Sequence, residues 1–523
     1  MDVSEPVTTL PSKPQWSGGL HWEESVADSK HIVVVGGSVA GLFSALLLSR
    51  DGHHVTLVEK EVLEECDSPV EAFEKWDRRG APQTRHSHAF LARLHNEIKT
   101  REPKLYAALL DAGAETIPFT EMTREFFPNE ELLPEDSEIT LLACRRITFD
   151  WVLRRHVRTE TETKMMTGFH VLGLTAETDA ETGLPRVTGV QVAQDQSDPE
   201  TVPADLVIDA TGRNTRLSHW LEDIGAAPLE QESESCGIFY CSRFYRLRPG
   251  VEAPKMEGPI GADLGYMKYA IFMGDSDIFS ITLAASPEDD ALRQLRKPDV
   301  FEAAARNLPT TSRWVEPSVS EPITDVSTYA NLKNTYRYFV RDGRPLALGL
   351  FPVGDALMHQ NPLAGRGCTM AWLSVQLLSE AFAAHPDNAL AFAQALDAEV
   401  IRQVHPWYLT MRDQDRSAGE LLREEQTGAN PYGFQKDDGS IDPKAYMRSL
   451  LKDGLMPALR EDITVLRAFL RVFNLLDAPG DLMARPDLMQ KVLGVWQKRE
   501  QREPISFGPQ RSDMVSTLEA AQA

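Results

Sequence analysis

The sequence predicts an α/β protein: a doubly wound parallel sheet, overlaid by a second, β-sheet domain and followed by a helical C-terminal region. Three observations carry this reading. A strand His31–Val35, the turn GGSVAG and an apolar helix over about 39–50 lead, past Gly52, into the strand His54–Glu59, which is a βαβ unit. Between about 225 and 340 the texture becomes aromatic-rich. There Phe279, Ile281 and Leu283 alternate with Ser280, Thr282 and Ala284, the period of a sheet with one packed face. From about 389 the chain reads as mostly helical, for example DITVLRAFLRVFNL at 462–475.

In chain order, residues 1–30 are polar and contain Pro and Ser, so a flexible arm is expected. The first domain then runs over 31–224, with helices predicted at about 91–113 and 148–160 and strands between 171 and 211. Residues 225–340 form the second sheet domain, 341–400 resume the first, and 401–523 are the helical region. A chain of 523 residues is long for a single core, which agrees with this division.

A net charge of −24 opposes binding to nucleic acid and to anionic membrane surfaces. The five cysteines are scattered, without C-x-x-C or Cys/His ligand spacing, so no metal site is expected. The start MDVSEPVTTLPSKPQ lacks the basic and apolar segments of a signal peptide, and the apolar run at 31–49 is broken by glycines. A cytoplasmic protein without a transmembrane segment is expected.

The turn GGSVAG has two readings. As G-x-G-x-x-G with Ser38 in the middle place, it is a dinucleotide-binding turn. Gly36 allows the tight turn, Gly41 lets helix pack on strand, and the helix N-terminus offers free N–H groups to a pyrophosphate. As a near match to G-x-S-x-G, with Ala40 in the last place, it is a hydrolase nucleophile elbow. Glu59, 18 residues after Gly41 at the end of the second strand, suits the acceptor of ribose hydroxyls and favours the Rossmann-like reading. A hydrolase would leave Gly41, Glu59 and Gly354-Asp355 unexplained.

Three further segments belong with this turn: RRGAPQTRHSHAFL at 78–91, DLVIDATGRNTRLSHWL at 205–221 and GLFPVGDALMHQNPLAGRGCTMAW at 349–372. Together they resemble FAD-dependent monooxygenases of the para-hydroxybenzoate hydroxylase fold, most closely the branch of polyether-type epoxidases and related hydroxylases. That branch reads R-x-G-x-P-Q-x-x-H-x-H early in the chain, and Arg78, Gly80, Pro82, Gln83, His86 and His88 supply it. The resemblance covers roughly 31–400. It implies that Gly36, Ser38 and Gly41 hold the FAD pyrophosphate and Glu59 the adenosine ribose. It places Arg79, Gln83, Arg146 and Gly212 along the cofactor and Asp355 on the ribityl chain. Pro362, Gly365 and Gly367 then form the turn beside the flavin ring, where a helix N-terminus faces the charge that develops on reduction. A surface role for Arg146, a helix cap for Asp355 and structural roles for His86 and His88 are the alternatives.

The implied activity is transfer of one oxygen atom from O2, through a C4a-hydroperoxyflavin, to an apolar small molecule by epoxidation or hydroxylation. His88, Tyr240, Phe244, Tyr266 and Phe272 are the candidate pocket residues, and no catalytic base is assigned. Thr211-Gly212 replaces the Asp-Gly of many single-component hydroxylases. Electrons are therefore expected from NAD(P)H or from a partner flavin reductase. The alternatives are an isoprenoid double-bond reductase of the geranylgeranyl reductase type and a flavin-dependent halogenase. The first would show a Tyr-x-Trp-x-Phe-Pro-like element where this chain has 269–273, Tyr-Ala-Ile-Phe-Met, and the second a Trp-x-Trp-x-Ile-Pro motif that is absent.

Overall fold

The structure, a computed structural model, describes residues 29–522 apart from 196, 256–259, 437 and 504–505. The arm expected at 1–30 lies, except for its last two residues, outside the described residues.

The βαβ unit is present with the expected bounds. Strand β1 (His31–Val35) leads into helix α1 (Val39–Arg50) and strand β2 (His54–Glu59). Helix α2 (Arg146–Glu160) precedes β3 (Lys164–Thr167), and β4 (Leu206–Asp209) ends the first excursion. The second unit contains β5 (Phe239–Leu247), β6 (Met267–Met273), β7 (Ile278–Ala285) and β8 (Lys333–Tyr338). The chain then returns through β9 (Leu350–Pro352), α3 (Gly367–Ala384), α4 (Ala389–Gln403), α5 (His405–Gln426) and, near its end, α6 (Arg511–Ala520).

The first sheet has the order β9-β4-β1-β2-β3, and every pairing is parallel. Its central strands are mostly apolar because both faces are covered, and Ile32, Val33, Val34, Leu57 and Val207 are fully buried. Helix α1 is apolar all round for the same reason. It lies between this sheet and α3, with Phe43 edge-on to Trp372 at 4.9 Å. A parallel sheet puts all its carboxyl ends on one edge. Gly36, Glu59, Thr211-Gly212 and Gly354-Asp355 therefore meet there, although they are far apart in the chain.

One predicted helix is two. The segment expected at about 91–113 forms Ala92–Arg101 and Pro103–Asp111. Pro103 lacks an N–H and excludes the residue before it from helical geometry, so the chain bends at Glu102.

The second sheet departs from expectation in a way that matters for the site. β7 lies between β5 and β6, antiparallel to both, and is buried on both faces instead of one. Phe279, Ile281 and Leu283 pack outward with Tyr245, Tyr269 and Ile271, under Val300, Phe301 and α6 residues Met514 and Leu518. The other face carries Ser280, Thr282 and Ala284 together with Ser242 of β5, all buried; Ser242 and Thr282 meet His86 and Ser87 of the first unit, while Ala284 packs with Tyr240 and Tyr329. The alternation was that of a half-packed sheet. The polar half meets a polar partner instead of water.

The helical region has its own core, which includes Leu455, Leu459, Leu466 and Val492. Within it the helix expected at 462–475 forms as Ile463–Phe473, with Asp462 capping it by accepting from the Thr464 N–H at 2.8 Å. Among the described residues no helix is long and apolar enough to cross a membrane.

Candidate functional site

At the β1–α1 turn the glycines are required by geometry. Gly36 has φ of +107°, and a Cβ there would lie 2.6 Å from the Ala210 carbonyl oxygen. A Cβ on Gly41 would lie 1.7 Å from the Gly36 carbonyl oxygen. The Gly37 N–H donates to Glu59 Oε2 at 2.7 Å and the Glu61 N–H to Oε1 at 2.9 Å, which fixes the carboxylate against the turn. Each oxygen keeps a lone pair for a further donor. Ser38 occupies the N-cap of α1 without capping it, so the first-turn N–H groups stay available. The Ser38 hydroxyl accepts from Arg146 Nη2 at 3.4 Å, and no histidine bonds to it among the described residues. The nucleophile reading gains nothing here.

Arg146 starts α2 and pairs with Asp150 at 2.6 Å, one turn on. Two turns on, Arg154 Nη1 reaches the Gly37 carbonyl at 3.5 Å, and burial lowers its pKa to about 10. Arg154 was missed from sequence. The signal was present, since Arg146, Asp150 and Arg154 at i, i+4 and i+8 share one helix face. The neighbouring arginine pair needs a correction. Arg79 is exposed and paired with Asp77, whereas Arg78 is buried, contacts the Gly37 carbonyl at 3.4 Å and pairs with Glu61. Two consecutive arginines look alike in sequence, and a carbonyl and a carboxylate 41 and 17 positions away select between them.

The other two turns are tied together. Asp209, with no exposed surface, accepts from the Thr211 N–H at 2.9 Å, from Thr211 Oγ1 at 2.6 Å and from Thr215 Oγ1. Burial raises its pKa, and these bonds oppose the rise. Arg337 of β8 donates to the carbonyls of Asp355 at 3.2 Å, Ala356 at 3.0 Å and Arg213 at 3.1 Å, stapling the 211–215 turn to the 354–356 turn. The Asp355 carboxylate is partly exposed, with no hydrogen bond to protein among the described residues. Gly365 is left-handed at φ of +68° after the short turn Pro362–Ala364, and α3 begins at Gly367 with no side-chain cap. Around Gly212 and Gly367 a Cβ would meet nothing within 4 Å, so these two face open space. Gln83 lies partly exposed in the short turn Pro82–Arg85.

The polar face of β7 closes over this edge. A recess is lined by His88, Cys144, Arg145, Phe244, Phe272 and Ser280, among others. Three expected pocket residues, His88, Phe244 and Phe272, thus share one recess. Tyr240 stands beside it in a ring cluster with His86, 4.9 Å away, and Tyr329. Tyr266 does not belong. It precedes β6, packs on the outward core and donates to the Pro509 carbonyl at 2.9 Å, so the sheet separates it from the recess.

His88 Nδ1 lies 3.1 Å from the His86 carbonyl oxygen. A carbonyl only accepts, so Nδ1 carries the proton and Nε2 of the neutral ring is an acceptor. His86 Nδ1 meets Ser242 Oγ at 3.1 Å, and Ser242, Thr282 and Ser87 continue a line of hydroxyls at 2.8 and 2.7 Å. Burial lowers both histidines to about 3 from the ordinary 6.5. Between those values the unfolded chain binds protons that the folded chain refuses. Stability is therefore complete above about pH 6.5 and falls as the pH drops, by roughly 1.4 kcal/mol per unit for each histidine. Urea unfolding at several pH values should show this loss, with a shallower slope in His86→Gln; equal slopes would contradict it.

No family profile matches the chain. Among curated sequences, protein Rv3254 of Mycobacterium tuberculosis is 26% identical over 505 residues, covering 91% of this chain and 97% of that one. Among solved structures, p-nitrophenol 4-monooxygenase PnpA of Pseudomonas putida superposes with a TM-score of 0.56 at 15% identity, over 86% of this chain and 98% of that one. The myxobacterial chondrochloren halogenase CndH, an FAD-dependent halogenase, gives 0.52 at 15% identity, over 95% and 97%. The chain therefore has the fold shared by FAD-dependent monooxygenases and halogenases.

Proposed function

We propose that this protein is an FAD-dependent monooxygenase that transfers one oxygen atom from O2 to an apolar small molecule. The observation that carries the reading is the convergence, on one sheet edge, of two uncapped helix N-termini, three glycine turns and an unengaged carboxylate near a recess. The residues fit the cofactor. Gly212 and Gly367 border open space, and among the described residues Arg78 Nε, Thr369 Oγ1 and both amide atoms of Gln360 are buried without hydrogen-bond partners, a cost that a bound polar group would remove.

FAD, when bound, supplies the electron transfer and the activation of O2. The chain supplies the rest. The first turn of α1 donates to the pyrophosphate, Ser38 and Arg146 lie beside it, and the free lone pairs of Glu59 accept from the adenosine ribose. Asp355 accepts from the ribityl hydroxyls, and Arg337 keeps its turn in register with Gly212. Pro362 to Gly367 bring the positive end of α3 to the flavin edge. The phenyl rings of Phe244 and Phe272 exclude water, while Ser280 and His88 Nε2 are the polar atoms that orient a substrate. The electrons come from NAD(P)H, directly or through a partner reductase, and Thr211-Gly212 in place of Asp-Gly favours the second route.

Asp355→Ala should weaken FAD retention at least tenfold more than Ser38→Ala, since the aspartate spends its carboxylate on nothing else, as equilibrium dialysis would show. The activity is tested by O2 uptake with photoreduced enzyme and a panel of apolar alkenes and phenols, following 18O from O2 into product. Turnover of an alkene without O2 uptake would move the assignment to a double-bond reductase.

A further inference from the structure

Arg366 is a buried cation without an anion. It is 7% exposed, its Nε and Nη1 are buried without hydrogen-bond partners, and no carboxylate pairs with it among the described residues. Anions are not scarce in a chain with 78 acidic residues. Arg145, Arg146 and Arg467, buried to a similar degree, each have an aspartate: Asp275, Asp150 and Asp136. The Arg366 guanidinium instead lies 4.6 Å over the ring of Trp407, which compensates only in part. Burial alone lowers its pKa, to about 10, and no charged neighbour contributes.

The residue stands at the N-cap of α3, an 18-residue helix whose first turn has no side-chain cap. Nearby in the chain, Thr369 Oγ1 and the Gln360 amide are also buried without partners. A buried unpaired charge is costly to keep and is retained where an opposite charge arrives. Arg366 stands between Gly365 and Gly367, the turn assigned above to the flavin edge, so a charge formed in place suits it better than an anion that must diffuse in.

We propose that Arg366, with the open first turn of α3, receives the negative charge that the bound flavin acquires on reduction. The inference rests on the FAD reading above. Two electrons and one proton, delivered as a nicotinamide hydride or by a flavin reductase, convert the neutral oxidised ring into a monoanion, and Arg366 offsets that charge. The residue is thus a positioning and electrostatic group that favours the reduced state.

The midpoint potential of the FAD-loaded enzyme tests this. Arg366→Met should lower the preference for reduced over oxidised flavin at least tenfold, which is about 30 mV downward for a two-electron couple. Arg366→Lys should keep most of the potential. Without a mutation, the wild-type potential should fall by about 30 mV per pH unit between about pH 5.5 and 7.5, one proton per two electrons, because the reduced ring stays anionic. The oxidised Arg366→Met holoenzyme should melt no lower than wild type, since the substitution removes an unpaired charge.

An unchanged potential in Arg366→Met, or a wild-type slope of about 60 mV per pH unit, would overturn the proposal. So would saturable binding of bromide or benzoate to the oxidised enzyme that is lost in Arg366→Met, because a diffusing anion would then fill the site. A wild-type chain that takes up no FAD would instead overturn the reading beneath it.

Discussion

Replacing Asp275 with alanine should cost about 3–5 kcal/mol of stability, because it leaves the Arg145 guanidinium buried and unpaired. Asp275 sits in the hairpin between β6 and β7 and accepts from the Arg145 backbone N–H at 3.0 Å, from Arg145 Nε at 3.1 Å and Nη2 at 2.5 Å, and from Thr148 Oγ1 at 2.7 Å. Burial works against its charge, and these partners more than reverse the effect. The arginine lies at the start of α2 and the aspartate in the second sheet, so this cluster fastens the two units across the recess that Arg145, Gly274 and Ser280 line. Urea unfolding measures the loss. Arg145→Met combined with Asp275→Leu should recover most of it, because an apolar pair of similar volume leaves no charge behind. A single-variant loss below about 1 kcal/mol would mean that the units are held elsewhere.

The second large effect is expected at Gly41. A Cβ 1.7 Å from the Gly36 carbonyl oxygen meets rigid backbone, so Gly41→Ala must open the turn that presents the α1 N-terminus. FAD affinity should fall at least a hundredfold, about 2.7 kcal/mol. Gly367→Ala is the informative comparison. Its Cβ meets no protein atom within 4 Å, so the fold should tolerate it and only the cofactor should object. Thermal melts of the FAD-free protein beside FAD titrations separate the two cases. Unimpaired FAD binding by Gly41→Ala would contradict the role given to the turn.

These two positions also show what was legible in the sequence. The convergence of Gly36, Gly41, Glu59 and Asp355 was legible because local patterning marks strand ends and turns, and a parallel sheet necessarily brings carboxyl ends together. The limits of α1 followed from the glycines on either side. What escaped depends on partners distant in the chain. Arg337 staples turns that it meets 18 and 124 positions away, and nothing in KNTYRY marks that arginine. Arg78 differs from Arg79 only through Gly37 and Glu61. Tyr266 and Phe272 are both aromatic residues near β6 and have the same strand parity, and Tyr266 reaches the outward core because it lies in the bend before the strand, outside its alternation. The Ser280, Thr282 and Ala284 face read only as the one left unpacked, since a buried polar face and an exposed one have the same period.

The central claim is that this sheet edge holds FAD, and one titration addresses it directly. Purified protein, stripped of any bound chromophore and titrated with FAD, should take up one equivalent per chain with a perturbed flavin spectrum, and Asp355→Ala should bind markedly less tightly. Absence of saturable FAD uptake, or uptake indifferent to Gly41→Ala and Asp355→Ala alike, would contradict it.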